Sequence, residues 1–241
     1  MGPHEKIFVA LDQLSLPEAL VMVDQLSPYG VGFKIGLELI CGFAAEAVIA
    51  HAHGRRGRVI FDGKINDIPK TMERAVLRLA EHGMVDGFTV HASASIDGLL
   101  AAASAKRAMR MFAVTVLTSM DESTEAPDVF GTPASAKVLR FARDAKLGGA
   151  DGIICSPREL LMLRRRPELA AMTLATPGIR PAWAGNDDQK RFLTPAAAIA
   201  AGADLLIIGR PVTKPPEAIG DAVTALQMIM EEVDRAMKGA A

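Results

Sequence analysis

The feature that most constrains the fold is a regular alternation of short apolar segments with longer segments of helical periodicity. The apolar segments lack the polar alternation of half-exposed strands, so they are typical of strands covered on both faces. Several of the helical segments begin near a proline and end near a glycine. The eight predicted strands cover residues 7–11, 32–35, 59–62, 87–90, 111–117, 152–154, 172–175 and 205–208.

Eight strands that alternate with eight helices predict a (β/α)8 TIM barrel, which we expect to form a single domain over residues 1–241. A doubly wound open sheet is the alternative, but the even length of the units and their number favour the barrel. The predicted helices cover residues 17–26, 37–53, 69–81, 95–109, 133–147, a segment that begins at 157, 194–201 and 216–237.

Composition narrows the classes of function. The net charge is −1, and the chain holds one Trp and one Tyr, which argues against a nucleic-acid partner. Two cysteines are too few for a disulfide framework and favour a reducing compartment. No apolar run is long enough to span a bilayer, and the first residues lack the apolar core of a signal peptide. We therefore expect a soluble, cytoplasmic protein.

Polar residues stand at or just past the carboxyl ends of the predicted strands. In a barrel these ends converge on one face, and active sites lie on that face. Residues far apart in the sequence are therefore expected to form one constellation. Its members are Asp12, Lys34, Asp62, Lys64, His91, Thr118, Ser119, Ser156, Arg180 and Arg210.

The densest group of charges follows the third predicted strand, within residues 59–72. Asp62 and Lys64 are two apart, a spacing that puts both side chains on one face of an extended strand. Asp67 lies beyond them, and Pro69 suits the first turn of a helix. A surface ion pair and a catalytic cluster both fit this pattern, and the residues alone leave the two open.

The same stretch resembles the signature of the orotidine 5′-monophosphate decarboxylase family. The residues that carry the motif are Asp62, Lys64, Asp67, Ile68, Pro69 and Thr71. Four positions between them are variable in that signature, and one of these, Asn66, stands where histidine is frequent. The other three are Gly63, Ile65 and Lys70. Further segments resemble the family in the expected order, at residues 9–12, 33–36, 117–119, 154–156, 176–180, 189 and 209–210.

The resemblance implies a barrel homodimer that converts orotidine 5′-monophosphate to uridine 5′-monophosphate and carbon dioxide, without metal or organic cofactor. It makes Lys64 the proton donor to the carbon that loses the carboxylate and places Asp62 against that carboxylate. Lys34 completes the charged array. The neighbouring subunit's site is reached by Asp67, with Ile68 and Thr71.

The binding roles implied by the resemblance cover the rest of the nucleotide. Asp12 holds the ribose, and Thr118 and Ser119 face the base. A polar loop around residues 186–189 is expected to close over the phosphate and exclude water. The phosphate or this loop would be contacted by Arg180, Gln189, Gly209 and Arg210.

Two other functions compete with this interpretation. Magnesium-dependent keto-sugar-phosphate decarboxylases and aldolases share the Asp-x-Lys-x-x-Asp pattern, but they carry a glutamate where this chain has Lys34. A degenerate barrel that only binds a partner would have no reason to keep charges at so many strand ends. Both observations favour the cofactor-independent decarboxylase.

Overall fold

The computed structural model describes residues 2–184 and 192–239. Within them, parallel strands close into one barrel in the order β1 to β8, and each strand pairs with its neighbours in sequence. This confirms the predicted TIM barrel. The strands are β1 Ile7–Ala10, β2 Gly32–Ile35, β3 Val59–Ile65, β4 Gly87–His91, β5 Arg110–Val114, β6 Gly152–Ile154, β7 Thr173–Thr176 and β8 Leu205–Ile208.

The helices follow the strands along the chain and bury their apolar faces against the outside of the barrel. Among the described residues, no helix is both long enough and apolar enough to cross a membrane. The helices are α1 Leu16–Leu26, α2 Leu37–Cys41, α3 Ala45–Gly54, α4 Pro69–His82, α5 Ser95–Ala105, α6 Glu125–Phe130, α7 Ala134–Leu147, α8 Leu160–Arg164, α9 Pro195–Ala200, α10 Arg210–Thr213 and α11 Ala222–Gly239.

One difference from the sequence-based prediction is the helix expected over residues 37–53. It is two helices, because the chain turns at Gly42 and Phe43, and Phe43 has a left-handed φ of 56°. An alanine-rich sequence conceals this break, since its helical propensity is high throughout. The strand predicted at 111–117 ends at Val114, and residues 115–119 instead form the loop at the mouth of the barrel.

Two phenylalanine rings from opposite strands fill the barrel interior. Phe8 of β1 and Phe112 of β5 are buried there with small and branched residues. Glycines on neighbouring strands leave room for them. A Cβ on Gly32 would lie 2.3 Å from the Phe8 ring, and one on Gly152 would lie 2.7 Å from both the Phe112 ring and the carbonyl oxygen of Thr173. The interior is therefore a packed core and not a channel.

Replacing Gly152 tests this packing. Gly152→Ala should lower the free energy of unfolding by about 1–3 kcal/mol, because the new methyl group overlaps backbone as well as a ring. Urea denaturation followed by circular dichroism measures the change. Gly54→Ala is the matched control, since a Cβ there meets nothing within 4 Å. Equal stability of the two variants would contradict the packing.

Candidate active site

Four charged side chains of alternating sign form a row at the carboxyl ends of β1, β2 and β3. We call Asp12, Lys34, Asp62 and Lys64 the charge row. Lys34 Nζ lies 2.9 Å from Asp12 Oδ2 and 2.8 Å from Asp62 Oδ2. Lys64 Nζ lies 2.9 Å from the same Asp62 oxygen. The structure thus brings together four residues that the sequence placed at three strand ends.

The centre of the charge row is buried, and its ions stabilise one another. Lys34 is 6% exposed and Asp62 is 7% exposed. Burial alone would lower the pKa of Lys34, but Asp62 and Asp12 outweigh it and raise that pKa above its ordinary value. Burial alone would raise the pKa of Asp62, but Lys34 and then Lys64 lower it below its ordinary value. The pair is therefore ionised at neutral pH.

The backbone reaches this arrangement through an irregularity in β3. The predicted plain strand geometry for Asp62 and Lys64 is wrong in one respect, because Lys64 has a left-handed φ of 47°. The register between β3 and β4 also shifts between Phe61 and Ile65. The two side chains still meet, and this local irregularity of the strand lies at the mouth of the barrel.

Gly36 leaves room for the ion pair between Asp12 and Lys34 at the outer end of the charge row. The sequence pattern assigned no role to this glycine. It follows β2 directly, and a Cβ at this position would lie 2.2 Å from Asp12 Oδ1 and 3.0 Å from Lys34 Nζ. A side chain at this position would have to displace the carboxylate of Asp12 or the ammonium group of Lys34. The close approach of side chains to a backbone is a signal that only the folded structure displays.

Two adjoining cavities flank the charge row and share four lining residues. Both are lined by Asp12, Lys34, Pro177 and Ile207. One has a volume of about 270 Å³ and is also lined by Gly178, Arg180, Gly209 and Arg210. The other, of about 200 Å³, is lined by Asp62, Lys64, Thr89, Thr118 and a set of apolar residues, which are Ile60, Val114, Val116, Leu117 and Ile154.

The chemistry of the two cavities differs. The first brings two guanidinium groups to the loops after β7 and β8, where barrels often bind phosphate. The second joins apolar walls to the two lysines and Asp62. One ligand that spans both would carry an anionic group at one end and a partly apolar group beside the charge row. A larger cavity of about 540 Å³ lies at the amino ends of the strands, away from these charges.

Several predicted site residues lie elsewhere. Asp67, Ile68 and Thr71 are exposed at the start of α4 and line neither cavity, and Asp67 Oδ1 accepts a hydrogen bond from the backbone N–H of Ile68 at 2.7 Å. Ser119 is exposed and also lines neither. Gln189 lies outside the described residues.

His91, at the end of β4, makes local contacts. Its Nδ1 is 2.7 Å from Ser93 Oγ, and its ring meets the ring of Phe141 edge to face. Burial, and secondarily the charge of Lys64, lowers the pKa of His91 below its ordinary value. Across residues 2–184 and 192–239, no three His, Cys, Asp or Glu side chains are grouped so that they could hold a metal ion.

Sequence reasoning missed Thr89, a buried hydroxyl on β4. It contacts both Asp62 and Lys64, and it lines the smaller cavity. A threonine in an apolar strand is ordinary in a buried sheet, so its residue type alone carried no signal. Its place two residues before His91, on the same side of β4, was the available clue.

Removing Lys34 should raise the pKa of Asp62, because Lys34 is the strongest of the charges that lower it. The lowered pKa makes Asp62 stabilise the fold above the ordinary aspartate range, and this stability is lost as pH falls through the lowered value. In Lys34→Met, the stability that Asp62 contributes should begin to disappear at a higher pH as the pH is lowered. Carbon-13 NMR of the labelled aspartate carboxyl groups measures this titration.

Lys70→Met is the control for that measurement, since Lys70 is exposed and pairs with Glu73 at 2.6 Å, outside the charge row. An Asp62 titration in Lys34→Met that matched the control would contradict a dominant effect of Lys34 on the Asp62 carboxylate.

Comparison with known proteins adds an independent observation. The family model for orotidine 5′-phosphate decarboxylase / HUMPS proteins matches residues 5–223. Orotidine 5′-phosphate decarboxylase of Moorella thermoacetica is 39% identical over 246 residues, covering 97% of this chain and 94% of that protein. The protein of the same name from Thermobifida fusca is 41% identical, with 91% and 93% covered.

Solved structures agree with the sequence matches. The crystal structure of orotidine 5′-phosphate decarboxylase from Lactobacillus acidophilus superposes with a TM-score of 0.79 at 29% identity. The match covers 95% of this chain and 98% of that one. Fold and sequence therefore point to the same group of proteins.

Proposed function

Because the chain belongs to the orotidine 5′-phosphate decarboxylase / HUMPS family, we propose that its two cavities bind orotidine 5′-monophosphate and that the charge row removes its carboxylate. The reaction yields uridine 5′-monophosphate and carbon dioxide, the last step in making this pyrimidine nucleotide. The enzyme is a carboxy-lyase. The observation that carries the proposal is the alternating charge row between a cationic cavity and an apolar one.

The proposal gives the substrate one orientation across the two cavities. Its phosphate would enter the cavity of about 270 Å³, which Arg180 and Arg210 line beside Gly209. Its ribose would then lie against Asp12, which lines both cavities. Its base would occupy the smaller cavity beside Thr118. The resemblance adds Ser119 at the base and Gln189 at the phosphate or the loop that closes over it.

The charge row suits the chemistry because loss of carbon dioxide leaves a carbanion that the ring delocalises poorly. Lys64, at the edge of the smaller cavity, would stabilise the developing negative charge and then donate a proton to that carbon. Asp62 would lie against the leaving carboxylate and repel it in the bound substrate. Lys34 would hold Asp62 ionised throughout, and none of these steps uses a cofactor.

The family description also covers HUMPS proteins, so the keto-sugar-phosphate alternative needs a separate argument. Those magnesium-dependent relatives have a glutamate at the position of Lys34. Here an ammonium group fills the space between the carboxylates of Asp12 and Asp62. A divalent cation placed between those carboxylates would be repelled by this charge, so Lys34 favours the cofactor-independent reaction.

Turnover and its dependence on Lys64 test the proposal. The purified protein should deplete the absorbance of orotidine 5′-monophosphate, and exhaustive chelation should leave the rate unchanged. Lys64→Ala should lower kcat by at least about 10³-fold, because the proton donor is lost. Binding of uridine 5′-monophosphate, measured by calorimetry, should survive in part because Arg180 and Arg210 remain.

Arg210→Ala is the companion variant, and it should weaken binding and also slow turnover, since remote binding energy acts at the reacting centre. A rate that falls on chelation and returns with magnesium would move the assignment to the keto-sugar-phosphate enzymes. Near-normal turnover by Lys64→Ala would show that Lys64 is not the proton donor.

We also propose that the enzyme works as a homodimer with shared sites. Large apolar side chains are exposed in the segments that follow β2 and β3: Phe43 is 97% exposed, Ile68 is 66% exposed and Leu37 is 47% exposed. A second copy of the chain would cover them. Asp67 stands beside Ile68 and outside its own charge row, which supports a role for Asp67 in the partner's site.

Mixed dimers test the shared site. Lys64→Ala and Asp67→Asn should each be nearly inactive alone. After mixing, mild dissociation and re-pairing, a mixed dimer holds one doubly altered site and one intact site. Equal amounts should make roughly half of the dimers mixed, so about a quarter of all sites should recover activity.

The control for this experiment is each variant taken through the same dissociation by itself. Activity that stays absent although labelled subunits have exchanged would show that Asp67 acts within its own chain or not at all.

The cellular setting is part of the same proposal. We infer that residues 1–241 act as a single barrel domain in the cytoplasm, with the nucleotide and a second copy of the chain as partners. Cys155 is buried and Cys41 is exposed, and both are free thiols, which fits a reducing compartment. The net charge of −1 offers no footprint for nucleic acid.

A further inference from the structure

We propose that Thr89 is a positioning residue of the decarboxylation site, whose single hydroxyl group fixes both Asp62 and Lys64. This inference rests on the proposed function for its kinetic consequences, but its structural part stands without a substrate. Thr89 lies on β4 and is 1% exposed. It belongs to a different strand from the two residues it contacts, so it ties β4 to the irregular end of β3.

The hydroxyl group makes two hydrogen bonds with fixed directions. The backbone N–H of Lys64 donates to Thr89 Oγ1 at 2.9 Å, and Thr89 Oγ1 donates to Asp62 Oδ1 at 2.9 Å. The first bond uses the oxygen as an acceptor, so the hydroxyl hydrogen is available for the second. An ionised carboxylate can only accept, and the pattern therefore matches the charged form of Asp62.

The bond from Lys64 stabilises an uncommon backbone conformation. Lys64 has a φ of 47°, and the register of β3 against β4 shifts on either side of it. Where the register shifts in this way, Lys64 has no register partner on β4, and its backbone N–H needs another acceptor. Thr89 supplies the replacement. Without it, the left-handed conformation at Lys64 would lose the bond that offsets its cost, and the ammonium group would move with the backbone.

The bond to Asp62 sets the rotation of the carboxylate. Thr89 occupies Oδ1, and both lysines bind the other oxygen, with Lys34 at 2.8 Å and Lys64 at 2.9 Å from Oδ2. If the hydroxyl were absent, the carboxylate could turn and give one oxygen to each lysine. Lys64 would then leave the position from which it donates its proton. Thr89 thus acts on the chemistry through Asp62 and Lys64.

Replacement of the hydroxyl group tests the proposal. Thr89→Val keeps the shape of the side chain, and we expect kcat for orotidine 5′-monophosphate to fall about 10–100-fold through misplacement of the reacting groups. KM should change by less than about threefold, since Thr89 does not line the cavity proposed to bind the phosphate. Thr89→Ser retains the hydroxyl group and should restore kcat to within about threefold of the original.

Thr115→Val is the matched control. Thr115 follows β5, is also fully buried, and donates from Oγ1 to the carbonyl oxygen of Ile154 at 3.0 Å, without contacting the charge row. Thr115→Val also removes a hydroxyl group from a buried position. Its kcat should stay within about threefold of the original even if its stability falls. If Thr89→Val fails to fold, Thr89→Ala removes the hydroxyl without adding a methyl group to the cavity wall.

A titration separates failure of this proposal from failure of the proposed function. In the substrate-free protein, Thr89→Val should raise the pKa of Asp62, seen by carbon-13 NMR, whereas Thr115→Val should leave it unchanged. If the original protein does not turn over orotidine 5′-monophosphate, the function is wrong and this titration alone decides the role of Thr89. A Thr89→Val protein that matches Thr115→Val in kcat, or in the titration when no turnover exists, would overturn the proposal.

Discussion

The buried ion pair between Lys34 and Asp62 is the interaction on which the rest of the site depends. Two charges almost removed from water are costly unless each has close partners of opposite sign. Asp12 supplies the second partner of Lys34, and Lys64 supplies that of Asp62. The alternation leaves no net charge in the row, so a barrel mouth can keep four ions together.

The fold explains why these ions can meet. The carboxyl ends of three neighbouring parallel strands lie side by side. Lys34 is in register with Ala10 and Ile60, and Asp12 and Asp62 each follow two residues farther along their own chain segments. The charges are in place before any substrate arrives, so little reorganisation accompanies the reaction, and electrostatic preorganisation of this kind supplies most of the rate enhancement in many enzymes. Arg180 and Arg210 line the adjoining cavity, so the proposed function separates substrate anchoring from chemistry.

Most of the architecture was predictable from the sequence because continuous apolar strands and their even spacing leave few alternatives to a barrel. Polar residues at strand ends likewise identified the charge row before any geometry was known. The break at Phe43 and the bulge at Lys64 were not predictable, because a left-handed backbone at a residue other than glycine depends on tertiary contacts. Thr89 and Gly36 were missed for a related reason: their importance lies in atoms they approach across strands.

The central claim is that the charge row is ionised before substrate binds, and neutron diffraction from a perdeuterated crystal of the substrate-free protein at neutral pH tests it most directly. We expect three deuterons on Lys34 Nζ and none on either oxygen of Asp62, with the Thr89 deuteron directed at Asp62 Oδ1. A deuteron on the Asp62 carboxyl group, or a Lys34 amine with only two, would contradict it.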